Sequence, residues 1–371
     1  MATVKRRADR GGKWEVRYRD PEGRQRTKSF DRKVDADRYA ATTEAKKLQG
    51  DWIDPAAGKV TFAEYARAWQ SVQVHRPSTA QQVDGFLRIH LLPTLGDAPM
   101  ASIRPTMVQA WVRDRSEVIG ANTLQTVYRY FVAIMRAAVA DRVVARTPFD
   151  GVKLPKKVLL EVIPPTVDAV RAIEANIEGR YRALVTLTAG TGLRQGEAFG
   201  LTVDRVDFLR RTIRVDRQVV LLKRTPPYLG PPKTDASYRT IPLPDVVGTA
   251  LAAHLKEFPV THPEGLIFTN RNGEMLRRTA FNPQAWQPAL KASGLHGVGF
   301  HGLRHFYASL LIRHGESVKV VQKRLGHATA AQTLDTYGHL WSDSDDMTRA
   351  AVDSVLGSCA PNVRQESASD A

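Results

Sequence analysis

His301-Gly302-Leu303-Arg304-His305-Phe306-Tyr307-Ala308-Ser309-Leu310-Leu311 is the stretch from which the rest of this chain is best read. His301 and Arg304 are three residues apart, so both project from one face at the start of a helix. Leu303, Phe306, Leu310 and Leu311 supply that helix's buried face, and Gly315 ends it. A histidine that can take a proton thus stands beside an arginine whose planar fork fits phosphate oxygens. A competing reading is a metal pair from His301 and His305 at i,i+4. That pair would want a third ligand and the Glu of a His-Glu-x-x-His motif, and position 302 is Gly.

Downstream, Leu325-Gly326-His327 ends another helix, opened by Ser317 and carrying Val320 and Val321. Thr329 and Gln332 then form a capping box for a helix that reaches Tyr337-Gly338-His339-Leu340. A tyrosine in such a place is by default a half-buried amphipathic residue. Upstream, Thr191-Gly192-Leu193-Arg194-Gln195-Gly196-Glu197 reads as a glycine turn into a helix. Glu197 is one turn beyond Arg194, where a carboxylate can hold the guanidinium fork in place. By itself this is an ordinary surface i,i+3 pair. Lys233, in Pro231-Pro232-Lys233-Thr234-Asp235, precedes the strand-like Ser237-Tyr238-Arg239-Thr240-Ile241-Pro242. A hairpin lysine can reach into a cleft and act as an acid if its pKa is lowered.

Breaking a phosphodiester without metal needs a nucleophile, cations on the non-bridging oxygens, a base and an acid. The C-terminal third offers a candidate for each. Each piece is weak alone; the order and spacing are not. TGLRQGEAFGL, PPKTDASYRTIPLP, HGLRHFYASLL and LGHATAAQTLDTYGHL closely resemble the tyrosine recombinases of the phage integrase family. The resemblance runs through residues 165–345. It implies that Tyr337 attacks a DNA phosphate to give a 3′-phosphotyrosyl link and a free 5′-hydroxyl. It also implies that Arg194 and Arg304 hold the non-bridging oxygens, Lys233 protonates the leaving oxygen and His301 accepts the tyrosine proton. His327 would hydrogen-bond the phosphate, with Glu197 and His305 supporting. No metal or other cofactor is implied. The implied partner is duplex DNA at attachment sites, bound by a tetramer, with excision or host DNA-bending factors as candidate accessory partners. A type IB-like topoisomerase shares the tyrosine chemistry, and a non-catalytic DNA-binding protein could keep the fold. Covalent trapping separates catalyst from binder, and a two-site plasmid assay separates recombinase from topoisomerase.

The rest of the chain agrees. With 371 residues, two or three domains are expected. The 54 Lys+Arg exceed the 38 Asp+Glu, for +16, a surplus that favours a polyanionic partner. One cysteine, Cys359, permits neither an intrachain disulfide nor a cysteine-based zinc site. No secretory signal or membrane-spanning stretch is visible, so a cytoplasmic, nucleoid-associated protein is expected. Residues 1–50 hold 15 Lys/Arg against 8 Asp/Glu. There Trp14, Val16 and Tyr18 alternate with Glu15, Arg17 and Arg19, Asp20-Pro21-Glu22-Gly23 is a turn, and a second strand runs from Arg24 to Phe30. With a helix from about Val34 to Leu48, this reads as a sheet-plus-helix module with a basic surface of Arg17, Arg19, Arg24, Arg26 and Lys28 offered to DNA. Four short helices follow, three capped by Thr61 with Glu64, Thr106 with Gln109, and Asn122 with Gln125 and one preceded by Ser78, their aromatic stripes at core spacing.

The expected fold is α+β and multidomain. Residues 1–55 form a β-sheet-plus-helix module, in the family's terms arm-type DNA-binding. Residues 60–150 form a helical, SAM-like core-binding bundle. Residues 165–356 form a mainly helical catalytic domain with a β-hairpin or sheet, and residues 357–371 a flexible tail.

Overall fold

The computed structural model describes residues 2–7, 12–50, 52–157, 161–341 and 345–357. The chain divides into two compact units, residues 1–159 and 160–371. Cys359 and the expected tail, apart from Gly357, lie outside the described residues. Among the described residues no helix is long and apolar enough to cross a membrane.

The first unit opens with an antiparallel sheet of β1 (Thr3–Arg7), β2 (Lys13–Arg19) and β3 (Gln25–Phe30), followed by α1 (Lys33–Leu48). The alternation in β2 buries Val16 and Tyr18, which share a small core with Ala36 and Ala40 of α1 and with Trp52. β1, which sequence periodicity did not identify, pairs with β2 from Thr3 opposite Arg17 to Arg7 opposite Lys13.

The register of β2 with β3 corrects one expectation. Val16 faces Lys28 and Tyr18 faces Arg26, so Arg26 and Lys28 stand on the helix-covered side of the sheet. Arg26 pairs with Asp20 and Asp54, and the Lys28 ammonium lies 4.5 Å from the centre of the Tyr39 ring. Arg17 and Arg19, opposite Thr27 and Gln25, occupy the open side. Arg24 lies at the turn, its amide bonded to the Asp20 carboxylate. The five cations expected on one surface are therefore split, because alternation within a strand does not set the register between strands.

The bundle comprises α2 (Phe62–Ser71), α3 (Pro77–Phe86), a π-helical turn (Leu87–Leu91), α4 (Leu92–Leu95), α5 (Pro105–Ser116) and α6 (Ala121–Ala140). Phe62, Trp111 and Phe131 are buried at its centre, as the stripes predict. The Thr61–Glu64 capping box is present. The other expected caps are not. α3 and α5 start on Pro77 and Pro105, whose fixed φ suits a first helical position, and α6 starts after Gly120. Gln109 and Gln125 instead bond the backbone of Lys153 and Pro155, fixing the segment that leaves the bundle.

The second unit begins with α7 (Val167–Asn176), α8 (Gly179–Thr191) and α9 (Gln195–Phe199). Five short strands follow: β4 (Val206–Asp207), β5 (Thr212–Val215), β6 (Gln218–Val220), β7 (Tyr228–Gly230) and β8 (Arg239–Pro242). They form an antiparallel β4-β5-β8 sheet, with Ile213 facing Ile241, and a β6-β7 hairpin. Then come α10 (Asp245–Glu257), α11 (Arg278–Phe281), α12 (Gln287–Ala292), α13 (Gly302–Arg313), α14 (Val318–Leu325), α15 (Ala330–Tyr337) and α16 (Asp345–Leu356). α8 is the pivot. It packs against α10 and α13, which buries it on nearly every side, Leu184, Val185 and Leu187 included. A second cluster of Tyr307, Ile312, Val321 and Leu325 carries Tyr337.

Candidate active site

Three helix ends meet beneath one cluster of charge. α8 stops at Gly192, whose φ of +65° is left-handed and where a Cβ would lie 2.4 Å from the Tyr307 ring. The chain then turns so that Leu193 is buried and Arg194 stands just ahead of α9. Glu197, one turn on, accepts from the Arg194 amide at 2.9 Å and from its Nη1 at 2.9 Å. Arg194 also donates from Nη1 to Ser237 Oγ at 3.2 Å and from Nη2 to the Gly326 carbonyl at 2.9 Å. Three of its five N–H donors are so engaged.

α13 presents Arg304, 1% exposed, whose Nη1 and Nη2 each donate at 2.7 Å to the carbonyls of Gly192 and Leu325. Burial and the neighbouring Arg194 push its guanidinium down to about 9, so it stays charged at neutral pH. Burial alone would raise Glu197, but Arg239 and Arg194 outweigh it and bring the carboxyl to about 2.

Arg239 is the group sequence reasoning missed. Its Nη2 and Nη1 grip the Glu197 carboxylate at 2.8 and 3.2 Å, and its Nε donates to the Arg324 carbonyl at 2.8 Å. It thereby ties β8 to the end of α14. The available signal was its place two residues before Ile241, which put an arginine on the buried face of a strand.

α14 stops at Gly326, also left-handed at +65°, where a Cβ would meet the Ala236 carbonyl at 2.9 Å. The next residue, His327, is buried, with Nδ1 2.9 Å from Thr333 Oγ1. Its ring lies parallel to that of Tyr337, 10° apart in plane and 6.3 Å between centres. Tyr337, the last residue of α15, is 1% exposed. Burial pushes its phenol up to about 12 against the pull of Arg304 and Arg194. Its hydroxyl lies 2.8 Å from His305 Nδ1.

His301, expected to take the tyrosine proton, precedes α13 at the exposed edge of the cluster, its ring 4.8 Å from that of His305 and nearly perpendicular to it. The hydroxyl's partner is thus His305, which the sequence reading kept as a supporting group. Burial first, then the Arg and His charges nearby, hold His305 at about 4 and His327 at about 3, so both are neutral at pH 7. Lys233 is not drawn into the cluster: it sits exposed on the loop after β7, and its ammonium has no ion-pair or hydrogen-bond partner among the described residues. No group of three His, Cys, Asp or Glu among the described residues could hold a metal ion.

Two arginines with part of their forks free, beside a phenol paired to a neutral imidazole, match the arrangement expected of a tyrosine recombinase. Residues 165–343 match the phage integrase family, so the second unit carries a domain of that family. The chain is 28% identical to a putative prophage phiRv2 integrase of Mycobacterium tuberculosis over 335 residues, covering 87% of this chain and 88% of that protein. A Tn1549 transposon integrase in complex with a circular intermediate DNA shares the fold at a TM-score of 0.69 and 21% identity, over 80% of this chain and 99% of that one. A lambda integrase tetramer bound to a Holliday junction does so at 0.56 and 18%, over 89% and 96%.

Proposed function

We propose that this chain cleaves and rejoins duplex DNA at specific sites through a 3′-phosphotyrosyl link at Tyr337, integrating or excising a mobile element. The observation that carries this reading is the seating of the Tyr337 hydroxyl on His305, on the helical scaffold that also holds the forks of Arg194 and Arg304. A scissile phosphate would enter against the remaining N–H donors of Arg194 and Arg304, which meet its non-bridging oxygens and the charge that grows on them as the phenol attacks. His327 and His301 would donate further hydrogen bonds to the phosphate. Lys233, on its exposed loop, would swing to the 5′ oxygen and give it a proton as it leaves. The phosphotyrosyl link conserves the energy of the bond broken, so the 5′-hydroxyl of a partner strand can reverse the step without nucleotide.

The modules divide the task in this reading. The catalytic domain (165–356) and the bundle (60–150) would grip the core site, and residues 1–55 a second class of site through the open sheet face with Arg17 and Arg19. Strand exchange would use a tetramer, the assembly in which the lambda integrase relative is bound to a Holliday junction.

Tyr337→Phe removes only the attacking oxygen. DNA affinity should stay within about twofold while the denaturation-resistant protein–DNA adduct on a nicked suicide duplex disappears. An adduct formed by the Phe variant would overturn the reading.

A further inference from the structure

Tyr337 and His305 are 32 residues apart in the chain and 2.8 Å apart at their polar atoms. The phenol is 1% exposed, and His305 Nδ1 is the hydroxyl's hydrogen-bond partner among the described residues. Water is therefore poorly placed to take the proton. The other two histidines face other groups. His327 Nδ1 is engaged with Thr333, and His301 stands at the exposed edge.

We infer that His305 is the group that takes the proton of the Tyr337 hydroxyl when that oxygen attacks phosphorus, an inference that rests on the function proposed above. The Oη–P bond forms as the P–O5′ bond breaks. The phenolic proton passes from Oη to His305 Nδ1, leaving an imidazolium, and the departing O5′ takes its proton from Lys233. Rejoining runs the steps backwards, with Nδ1–H returning the proton to Oη.

The resting geometry suits this role. Nδ1 can accept only as the neutral ring protonated at Nε2, and burial with Arg304 alongside keeps the ring neutral. The same surroundings keep the proton on the phenol until substrate arrives. A phosphate docked against Arg304 and Arg194 brings negative charge beside His305, which raises the imidazole's affinity for a proton. Substrate binding thus arms the base. The charged and titratable groups around it are Arg304 and His301 at the start of α13, Arg194 before α9, His327 after α14 and Tyr337 at the end of α15.

The test uses the full-length protein, a suicide duplex, and either tyrosine or a fluorinated tyrosine that ionises near neutral pH at position 337. In His305→Asn the amide oxygen stands where Nδ1 was and accepts a hydrogen bond, but it takes no proton. With ordinary tyrosine this variant should form adduct roughly 100-fold more slowly than the parent, the usual worth of a general base. With fluorotyrosine the deficit should shrink to a few-fold, because an ionised nucleophile needs no base. His301→Asn should show no such restoration. The ratio of the two rates within one variant does not depend on how much of it is folded. An undiminished rate in His305→Asn, equal deficits with both tyrosines, or restoration in His301→Asn instead would each overturn the inference. In any of those cases, loss of adduct in Tyr337→Phe leaves the proposed recombinase standing. An adduct in Tyr337→Phe would remove both.

Discussion

In the N-terminal sheet, Arg17 and Arg19 lie along an open face while Arg26 is tied to Asp20 and Asp54 on the other. In the C-terminal unit, Arg304 is 1% exposed and ends on two backbone carbonyls, and Arg194 is held by Glu197, Ser237 and Gly326. Arg19 and Arg304 stand at opposite extremes of solvation, with Arg17, paired to Glu15, and Arg194 between them. An exposed guanidinium loses little by waiting in water and gains on a polyanion by releasing counterions. A buried one persists only if its donors are met, and in return its geometry is set before substrate arrives. Under the proposed function, the contrast separates cations suited to affinity from cations suited to chemistry.

Arg304→Met keeps the bulk and removes the charge, leaving the Gly192 and Leu325 carbonyls unmet. Adduct formation should fall about 1000-fold, as for loss of a buried transition-state donor. Arg17→Ala should leave it within about twofold. A loss under tenfold for Arg304→Met, measured by single-turnover trapping, would break the contrast.

Acid should expose the difference next. His305 and His327 are held at about 4 and 3, below the value near 6.5 of an unfolded histidine. The unfolded chain therefore binds more protons between those limits, so stability falls as pH drops below about 6.5 and the loss is complete only near pH 3–4. His254, buried and also lowered, adds to it with the same sign. Each fully neutral histidine contributes up to about 1.4 kcal/mol per pH unit. Residues 1–55 hold no histidine, so the slope belongs to the rest of the chain. Urea unfolding at pH 7 and pH 5 measures it, and equal midpoints would mean that the cluster is not buried as described.

Lys233 lies between the two extremes, exposed yet assigned to chemistry. Lys233→Ala should slow cleavage about 100-fold on ordinary DNA. It should have little effect when sulfur replaces the bridging 5′ oxygen, because a thiolate leaves without an acid. Equal deficits on both substrates would make Lys233 a phosphate ligand or nothing.

The smallest effects belong to the sheet. Arg17→Ala and Arg19→Ala should each lower the salt dependence of binding to sites flanking the core by about 0.9 in the log–log slope, the contribution of one phosphate contact. Arg26→Ala should change that slope little and lower the melting temperature instead. Deleting residues 1–55 should abolish footprints at the flanking sites and spare cleavage of a short core oligonucleotide. Matching footprints from both forms would reduce the module to a solvated basic face.

What was legible before the fold was known followed from local spacing. His301 with Arg304, Arg194 with Glu197, and the Thr61 and Thr329 caps need only the helical period and the next few residues. The contacts that were not legible join distant segments. Tyr337 to His305, Arg239 to Glu197 and Arg304 to Gly192 depend on where helices dock, and no periodicity reports that. The sheet failed for the same reason: the register of β2 with β3, rather than the alternation in either, decided which cations face out. Gln109 and Gln125 matched a capping pattern but were used to fasten the segment after the bundle.

Arg304 joins the carboxyl ends of α8 and α14, partners 112 positions before it and 21 after it. Contacts that close such long loops cost entropy before they stabilise, so this clamp is expected to form late in folding. Native-state hydrogen exchange should then find that any opening which undocks α14 also releases the guanidinium. A partly unfolded or proteolytically nicked copy would keep Tyr337 and its basic surface yet lose the Arg304 bridge between α8 and α14.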